Sequence, residues 1–233
     1  MIFRWLKQRK YVKFSKSDRR GITTIISQLN AETHKIYQIP QNLEFAIEII
    51  KQNQPLPQTE RELYEATLKP ILDLWCQNGR TDYPDILFER AYKMFKSRNT
   101  FFDRQDEPVP EELQDNLKTK KFLIQRGEHY YFRHDLIRSY LAAKYFVSRW
   151  QNLLNDSEIT VDANWHSLLE FTILDLETTQ PAEVKDLLFT VLQKNKKVAG
   201  EVFNWLQQSH PQLCTSWTDD FTRSFGAATL AQV

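Results

Sequence analysis

The residues that could carry catalysis lack the spacing that catalytic motifs need. A phosphate-binding P-loop has two glycines five positions apart followed by Lys and Ser or Thr, because backbone N–H groups must surround the phosphates. The closest glycines of this 233-residue chain are Gly200 and Gly226, so the sequence has no P-loop. None of the five histidines has another histidine four positions away, which leaves zinc chemistry without a motif. No Gly-x-Ser-x-Gly segment occurs either.

The cysteine content and the lengths of the apolar runs indicate the compartment in which the chain is expected. Cys76 and Cys214 are too few and too far apart in sequence for a disulfide framework or a zinc knuckle. No run of eighteen apolar residues occurs, and the first residues do not resemble a signal peptide. We therefore expect a cytoplasmic protein that is not an enzyme, with no metal site, no cofactor of its own and no transmembrane segment.

Basic residues are concentrated at the start of the chain. The first twenty residues hold eight Lys or Arg side chains against Asp18 alone, a local net charge of +7 on a chain whose total is +1. Such an arm binds nucleic acid, anionic lipid or an acidic protein face, or is simply a solvated edge. The candidate residues for binding a polyanion or a partner are Arg4, Lys7, Arg9, Lys10 and Lys13.

The elements that would position these residues are mainly helices. Only five glycines and nine prolines occur, and 41% of the residues are hydrophobic, a balance that favours a folded helical protein. Residues 10–14 are β-branched and aromatic, which predicts a strand or an extended arm, and a helix is expected after Asp18. Pro40 then breaks the chain, and Asn42 is expected to cap the next helix.

The longest predicted helix covers residues 60–77. Thr59 and Glu62 have the spacing of a capping box at its start. Pro70 should kink it, because proline lacks a backbone donor and clashes with the preceding turn. Asn78-Gly79 should end it.

The clearest β pattern lies in the second half of the chain. Two short apolar runs, 122–124 and 130–132, flank Arg126-Gly127-Glu128, which predicts a hairpin whose turn uses Gly127. Helices are expected after Asp82 and Pro110 and again from Asp135. The order helix, helix, hairpin, helix is typical of a winged-helix-like unit. Short helices are then expected at about 161–175, 181–193, 196–208 and 216–224.

We therefore predict a mainly α protein: a helical domain plus a winged-helix-like unit with one β-hairpin, followed by a C-terminal helical bundle or a short helical array. The predicted segments are a basic N-terminal arm (1–20), a small helical domain (21–81), a winged-helix-like domain (82–150), a C-terminal helical segment (151–225) and a frayed tail (226–233).

Three short segments together resemble NACHT-type signalling NTPases, of the STAND class. Residues 131–143 (Tyr-Phe-Arg-His-Asp-Leu-Ile-Arg-Ser-Tyr-Leu-Ala-Ala) are similar to the end of the family's winged-helix part, where a Phe-x-His segment precedes a helix. Residues 39–43 (Ile-Pro-Gln-Asn-Leu) resemble the proline turn that opens its small helical domain, and residues 56–64 resemble its linker and helix start. The resemblance spans about residues 10–150 and lacks the P-loop core.

The resemblance implies a role for two residues. In the family, the winged-helix histidine contacts the β-phosphate of ADP and helps to hold a closed, inactive state, and the helical-domain proline lies against the adenine. By position these are His134 and Pro40. Since the core is missing, ADP or ATP would be bound only together with a partner that supplies it. The implied function is a non-catalytic regulatory or protein-interaction module in signal transduction.

The residues leave other interpretations open. One is a nucleic-acid-binding winged-helix protein that uses the basic N-terminal arm. Against it, the helix expected from Glu111 begins with two acidic residues, and that end would have to approach phosphates. Another is a hydrolase whose site forms only in the folded chain.

Overall fold

The computed structural model describes residues 36–52, 54–103, 110–119 and 122–230. Its described part holds ten α-helices, two short 3₁₀ helices and one three-stranded antiparallel sheet. The prediction of a mainly α fold with a β-hairpin is confirmed. The extended stretch predicted at 10–14, the helix predicted after Asp18 and the basic arm lie outside the described residues. The chain divides into two compact units, residues 1–79 and 80–233.

The first unit contains α1 (Pro40–Lys51) and α2 (Glu60–Gln77), which pack against each other. Pro40 is the first helical residue, a position that suits its fixed φ, and Ile39 is the N-cap. The prediction that Asn42 caps this helix is wrong. Asn42 lies inside the first turn and its side chain is fully buried.

The start of α2 confirms the predicted capping box in a slightly shifted form. The Thr59 hydroxyl accepts from the Glu62 N–H at 3.1 Å. The Glu62 carboxylate accepts from the Gln58 N–H at 2.7 Å, one residue before the cap. The helix continues through Pro70 to its predicted end, and Gly79 follows with a positive φ of 72°.

The second unit opens with a helix, a strand, a helix, a hairpin and a helix, the order of a winged-helix-like unit. Gly127 has a φ of 62° in the hairpin turn, as predicted. The strand before the second helix was not predicted from the sequence. These elements are α3 (Tyr83–Lys96), β1 (Phe101–Asp103), α4 (Glu111–Thr119), β2 (Leu123–Arg126), β3 (His129–Phe132) and α5 (Asp135–Phe146).

The sheet has the strand order β1-β3-β2, and all its pairs are antiparallel. Side chains alternate between its two faces. Tyr130 and Phe132 of β3, with Phe102 of β1 and Leu123 of β2, are buried and form the inner face. The sheet therefore joins the core through aromatic side chains.

α5 lies at the centre of the second unit. It packs against α3 on one side and against a later helix, α7 (Trp165–Thr179), on another. Lys144 of α5 forms an ion pair with Asp175 of α7, with Nζ–O distances of 3.0 and 2.9 Å. The Phe146 ring lies 5.7 Å from that of Trp165, between ring centroids. The C-terminal helices thus pack directly onto the winged-helix-like part.

The predicted C-terminal helices are present, with one short addition before them. That addition, α6 (Trp150–Asn155), lies between α5 and the first of the predicted C-terminal helices. The last helix runs into the segment predicted to be frayed, since residues 226–230 are helical. The remaining elements are α6 (Trp150–Asn155), α8 (Glu183–Lys194), α9 (Lys196–Ser209), the 3₁₀ helices Pro211–Leu213 and Thr215–Trp217, and α10 (Thr218–Leu230).

Candidate functional site

The site that the sequence indicates lies where the hairpin passes into α5. β3 ends at the buried Phe132, and the Arg133 N–H donates to the Phe122 carbonyl at 2.9 Å, which extends the pairing. His134 then has an extended backbone (φ −146°, ψ 145°) and is the N-cap of α5. Its half-buried ring accepts a hydrogen bond through Nδ1 from the Leu136 N–H at 3.2 Å. The helix therefore fixes the ring that caps it.

This hydrogen bond decides which nitrogen of His134 can meet a ligand. A neutral imidazole has one donor nitrogen and one acceptor nitrogen. Because Nδ1 accepts from the backbone, the proton of the neutral ring lies on Nε2, which is a donor. A helix N-terminus also carries a partial positive charge. The arrangement therefore favours an anion, such as a phosphate, over a cation such as a metal ion.

A mostly buried cation, Arg138, lies in the first turns of α5. Arg138 forms an ion pair with Asp135 at 3.2 Å, and its Nη1 donates to the Asn99 carbonyl at 2.8 Å. Its side chain is only 14% exposed, whereas that of Asp135 is 80% exposed. Arg138 thus holds the loop before β1 against α5 and stabilises the start of the helix that His134 caps.

The other residues expected at this site lie in the first unit or outside the described part of the chain. Pro40 begins α1 in the first unit, whereas His134 belongs to the second. A joint contact of the two with one nucleotide spans both units and stays a prediction. The expected polyanion-binding residues lie outside the described part of the chain: Arg4, Lys7, Arg9, Lys10 and Lys13.

A buried polar cluster in the first unit was missed by the sequence analysis. Asn42 donates through Nδ2 to the Ile36 carbonyl at 3.1 Å and to the Glu60 carboxylate at 3.2 Å. The Tyr64 hydroxyl donates to the Asn42 carbonyl oxygen at 3.1 Å. Asn42, Glu60 and Tyr64, which we name the polar cluster, therefore join α1 to α2. Asn42 and Tyr64 each stand four residues before a buried apolar residue. This helical spacing was the signal that could have placed both side chains on the buried faces of their helices.

Burial changes the acid–base behaviour of the polar cluster. It raises the pKa of the Glu60 carboxyl above its ordinary value, and the hydrogen bond from Asn42 opposes this in part. Burial, and then the charge of Glu60, raises the pKa of the Tyr64 hydroxyl. Low polarity disfavours the charged form of both groups, and their hydrogen bonds to Asn42 join the two helices.

Further chemistry-bearing side chains lie elsewhere in the described part of the chain. Among the described residues, no group of three or more His, Cys, Asp and Glu side chains could hold a metal ion. Burial raises the pKa of the Cys214 thiol, which lowers its thiolate fraction. His210 Nδ1 lies 3.3 Å from Glu177 Oε2, and His166 Nδ1 lies 3.5 Å from Glu170 Oε1, as contacts between partly buried side chains.

No helix in the described part of the chain is long and apolar enough to span a bilayer.

Comparison with known proteins adds no family to these observations. No model of a known protein family matches the chain, and no curated protein is significantly similar to it.

Proposed function

We propose that the chain is a non-catalytic regulatory module that acts through a protein partner, and that the partner is a P-loop NTPase core of the NACHT type. The observation that carries the proposal is the geometry of His134. Its Nδ1 caps α5 and its Nε2 is a donor at the positive end of that helix. A donor at that place can form one hydrogen bond to a nucleotide phosphate.

The central position of α5 supports a role in passing on a conformational signal. The helix begins at the candidate phosphate contact and packs against α3 and α7 along its length. The Lys144–Asp175 ion pair, with both side chains at most 20% exposed, couples it to α7. A shift at the start of a closely packed helix moves its neighbours, because packed interiors deform little.

The chain alone is expected neither to hydrolyse ATP nor to bind ADP tightly. A phosphate cradle needs several converging backbone donors and a lysine. The start of α5 supplies one ring donor, and the Leu136 N–H is already used by His134. Calorimetry of the isolated chain with ADP should therefore show no tight binding. Micromolar affinity for this chain alone would contradict the prediction.

Two substitutions separate the cap of α5 from the ligand contact. His134→Asn keeps an acceptor, since Asn is among the best N-cap residues, but its shorter side chain removes the donor from the position of Nε2. His134→Ala removes both the acceptor and the donor. It should therefore also lower the free energy of unfolding by about 1 kcal/mol.

The test supplies the missing core. ADP is titrated into an equimolar mixture of this chain and a purified NACHT-type P-loop core from which its own winged-helix domain has been removed. The wild-type chain should tighten ADP binding, and both variants should lose this effect, although only His134→Ala is less stable. Tightening that persists in His134→Asn, or none with the wild type, contradicts the proposal.

A further inference from the structure

The end of α2 carries the one Asn-Gly pair of the whole sequence, Asn78-Gly79. Both residues are exposed, and Asn78 is the C-cap of the helix. Gly79 has a φ of 72°, which a residue with a Cβ rarely adopts, so the turn that ends α2 favours a glycine there. The fold therefore keeps an exposed asparagine directly before a glycine.

Asparagine is a thermolabile residue, because the backbone nitrogen of the next residue can attack its side-chain amide. In this pair a bond forms between Gly79 N and Asn78 Cγ, and the bond from Cγ to Nδ2 breaks. The proton of Gly79 N leaves with the Nδ2 group as ammonia, and a cyclic succinimide remains. Water then hydrolyses one of the two C–N bonds of the imide, which gives aspartate or isoaspartate. Glycine favours the first step because no side chain hinders its nitrogen.

We propose that Asn78 is a site of spontaneous deamidation, and that fraying of the end of α2 controls its rate. The Gly79 N–H donates to the Cys76 carbonyl at 3.1 Å, and the Asn78 N–H donates to the Leu74 carbonyl at 3.0 Å. While the Gly79 N–H is held in this hydrogen bond, its nitrogen cannot lose the proton and turn toward Asn78 Cγ. Helix ends open more readily than helix centres, so the reaction starts from molecules in which this end is frayed.

The same chain contains a matched asparagine at a second helix end. Asn155 is exposed and is the last residue of α6. The next N–H, that of Asp156, donates to the Leu153 carbonyl at 3.3 Å, a hydrogen bond of the same kind as that of Gly79. The side chain of Asp156 hinders its nitrogen. Asn155 therefore has the exposure and the helix end of Asn78 without the glycine.

The product changes the charge at the end of α2. Aspartate or isoaspartate adds a negative charge at the negative end of a helix. The last turn of α2 has no basic side chain that could offset it. Isoaspartate also lengthens the backbone by one methylene, close to Arg80, where the second unit begins. The site is independent of the proposed NTPase partner, because it uses neither His134 nor Pro40.

The test is a time course on the full chain at neutral pH, read by peptide mapping with mass spectrometry and by chromatography that separates aspartate from isoaspartate. The peptide that holds Asn78 should gain the mass of an amide-to-acid conversion, with both products present. The peptide that holds Asn155 should stay unchanged over the same period. In guanidinium chloride the reaction at Asn78 should be roughly two- to tenfold faster, since the net contribution of one backbone hydrogen bond is lost.

Three substitutions complete the test. Asn78→Gln should show almost no conversion, because its longer side chain forms the cyclic product far more slowly. Asn78→Asp represents the aspartate product. It should lower the protection of the amides at positions 78 and 79 against hydrogen exchange by roughly two- to fivefold, after correction for intrinsic rates. Asn155→Asp is the matched control and should leave the protection at the end of α2 unchanged.

Four results would overturn the proposal. No conversion at Asn78 in the folded chain, by the time the denatured chain has reacted, would show that the end of α2 does not fray enough to permit it. Equal conversion at Asn155 would show that Gly79 does not determine the site. Equal rates with and without guanidinium chloride would show that the hydrogen bond of Gly79 does not control the reaction. Unchanged protection in Asn78→Asp would show that the product leaves the end of α2 as it was.

Discussion

At the residue scale, Glu60 carries a carboxyl that the fold makes harder to ionise. Burial raises its pKa, so the folded chain binds the proton more tightly than the unfolded chain does. The free energy of unfolding should therefore decrease as the pH rises from the ordinary carboxyl pKa through the raised one, and stay lower above it. Glu60→Gln should remove this loss and raise the denaturation midpoint at neutral pH, since its amide oxygen can still accept from Asn42.

Glu65 provides the control for this substitution, because it is an exposed carboxylate on the same helix. Glu65→Gln should leave the dependence of stability on pH unchanged. The measurement is urea denaturation at a series of pH values. If the pH profile of Glu60→Gln matched that of the wild type, Glu60 would not be the group responsible.

Phe132 tests the junction between the hairpin and α5. Its side chain is 9% exposed and its strand neighbour Tyr131 points to the opposite face. Phe132→Ala should lower the free energy of unfolding by about 3–5 kcal/mol, through lost burial and the cavity left behind. Tyr131→Ala should lower it by much less, because that ring is half-exposed. Similar losses in urea denaturation for the two variants would contradict this assignment.

The residues of the polar cluster show why single positions are hard to interpret from a sequence. Asn42 follows a proline and precedes an apolar stripe, as a helix cap does. Which residue is the cap depends on backbone dihedrals, and here Pro40 already occupies the first helical position. The partners of Asn42 include Glu60, whose approach depends on how α1 and α2 pack. Local patterns contain no such information.

At the element scale, the surroundings of two glycines in C-terminal helices predict opposite effects on stability when each is replaced by alanine. A Cβ added at Gly200 in α9 would lie 2.8 Å from Cε2 of Phe225 in α10, so the ring must move. A Cβ at Gly226 meets nothing within 4 Å. Gly226→Ala should raise the free energy of unfolding by up to about 1 kcal/mol through helix propensity.

Gly200→Ala should make the chain less stable than Gly226→Ala by about 1–3 kcal/mol, the usual effect of overpacking. The displaced Phe225 ring would also lose its contact with the Lys196 ammonium, which lies 4.6 Å from the ring centroid. Thermal denaturation of the two variants side by side provides the measurement. Equal stabilisation by both would show that the Phe225 ring can move aside without loss of stability.

Elements with strong local patterns were predicted, and those that depend on distant partners were not. The capping residues of α2 and the glycine turn of the hairpin are local, and both are confirmed. β1 has only three residues and is a strand because it pairs with β3. It also follows Arg98, a non-glycine residue with a φ of 57°. The hydrophobic periodicity of the sequence does not predict a turn of this kind.

At the scale of the whole molecule, charge is unevenly divided along the chain. The first twenty residues carry a net charge of +7, so the remainder carries −6. Neutralising Arg9, Lys10 and Lys13 together should weaken heparin binding and flatten its dependence on salt, because fewer counterions are released. A heparin column run at several salt concentrations measures this. An unchanged salt dependence would place the polyanion site elsewhere.

The association of the winged-helix-like part with the C-terminal helices was beyond the reach of the sequence. The predicted segments 82–150 and 151–225 both lie in one compact unit. They meet through α5 and α7, where the Tyr140 and Phe171 ring centroids are 5.5 Å apart. Each of these rings is what any buried helix face would contain, so neither identifies its partner. The candidate site at His134 was indicated by a short segment, whereas its fixed ring orientation required the folded junction.

The burial of α5 determines how the second unit opens to solvent. Five consecutive residues, 139–143, are buried, so this stretch of helix is enclosed on all sides. Its amide hydrogens can exchange with deuterium only when the packed neighbours of α5 separate from it. That event is the unfolding of the unit as a whole rather than local fraying. The slowest exchange in the second unit should therefore be found in α5, at a rate that reports the global stability of that unit.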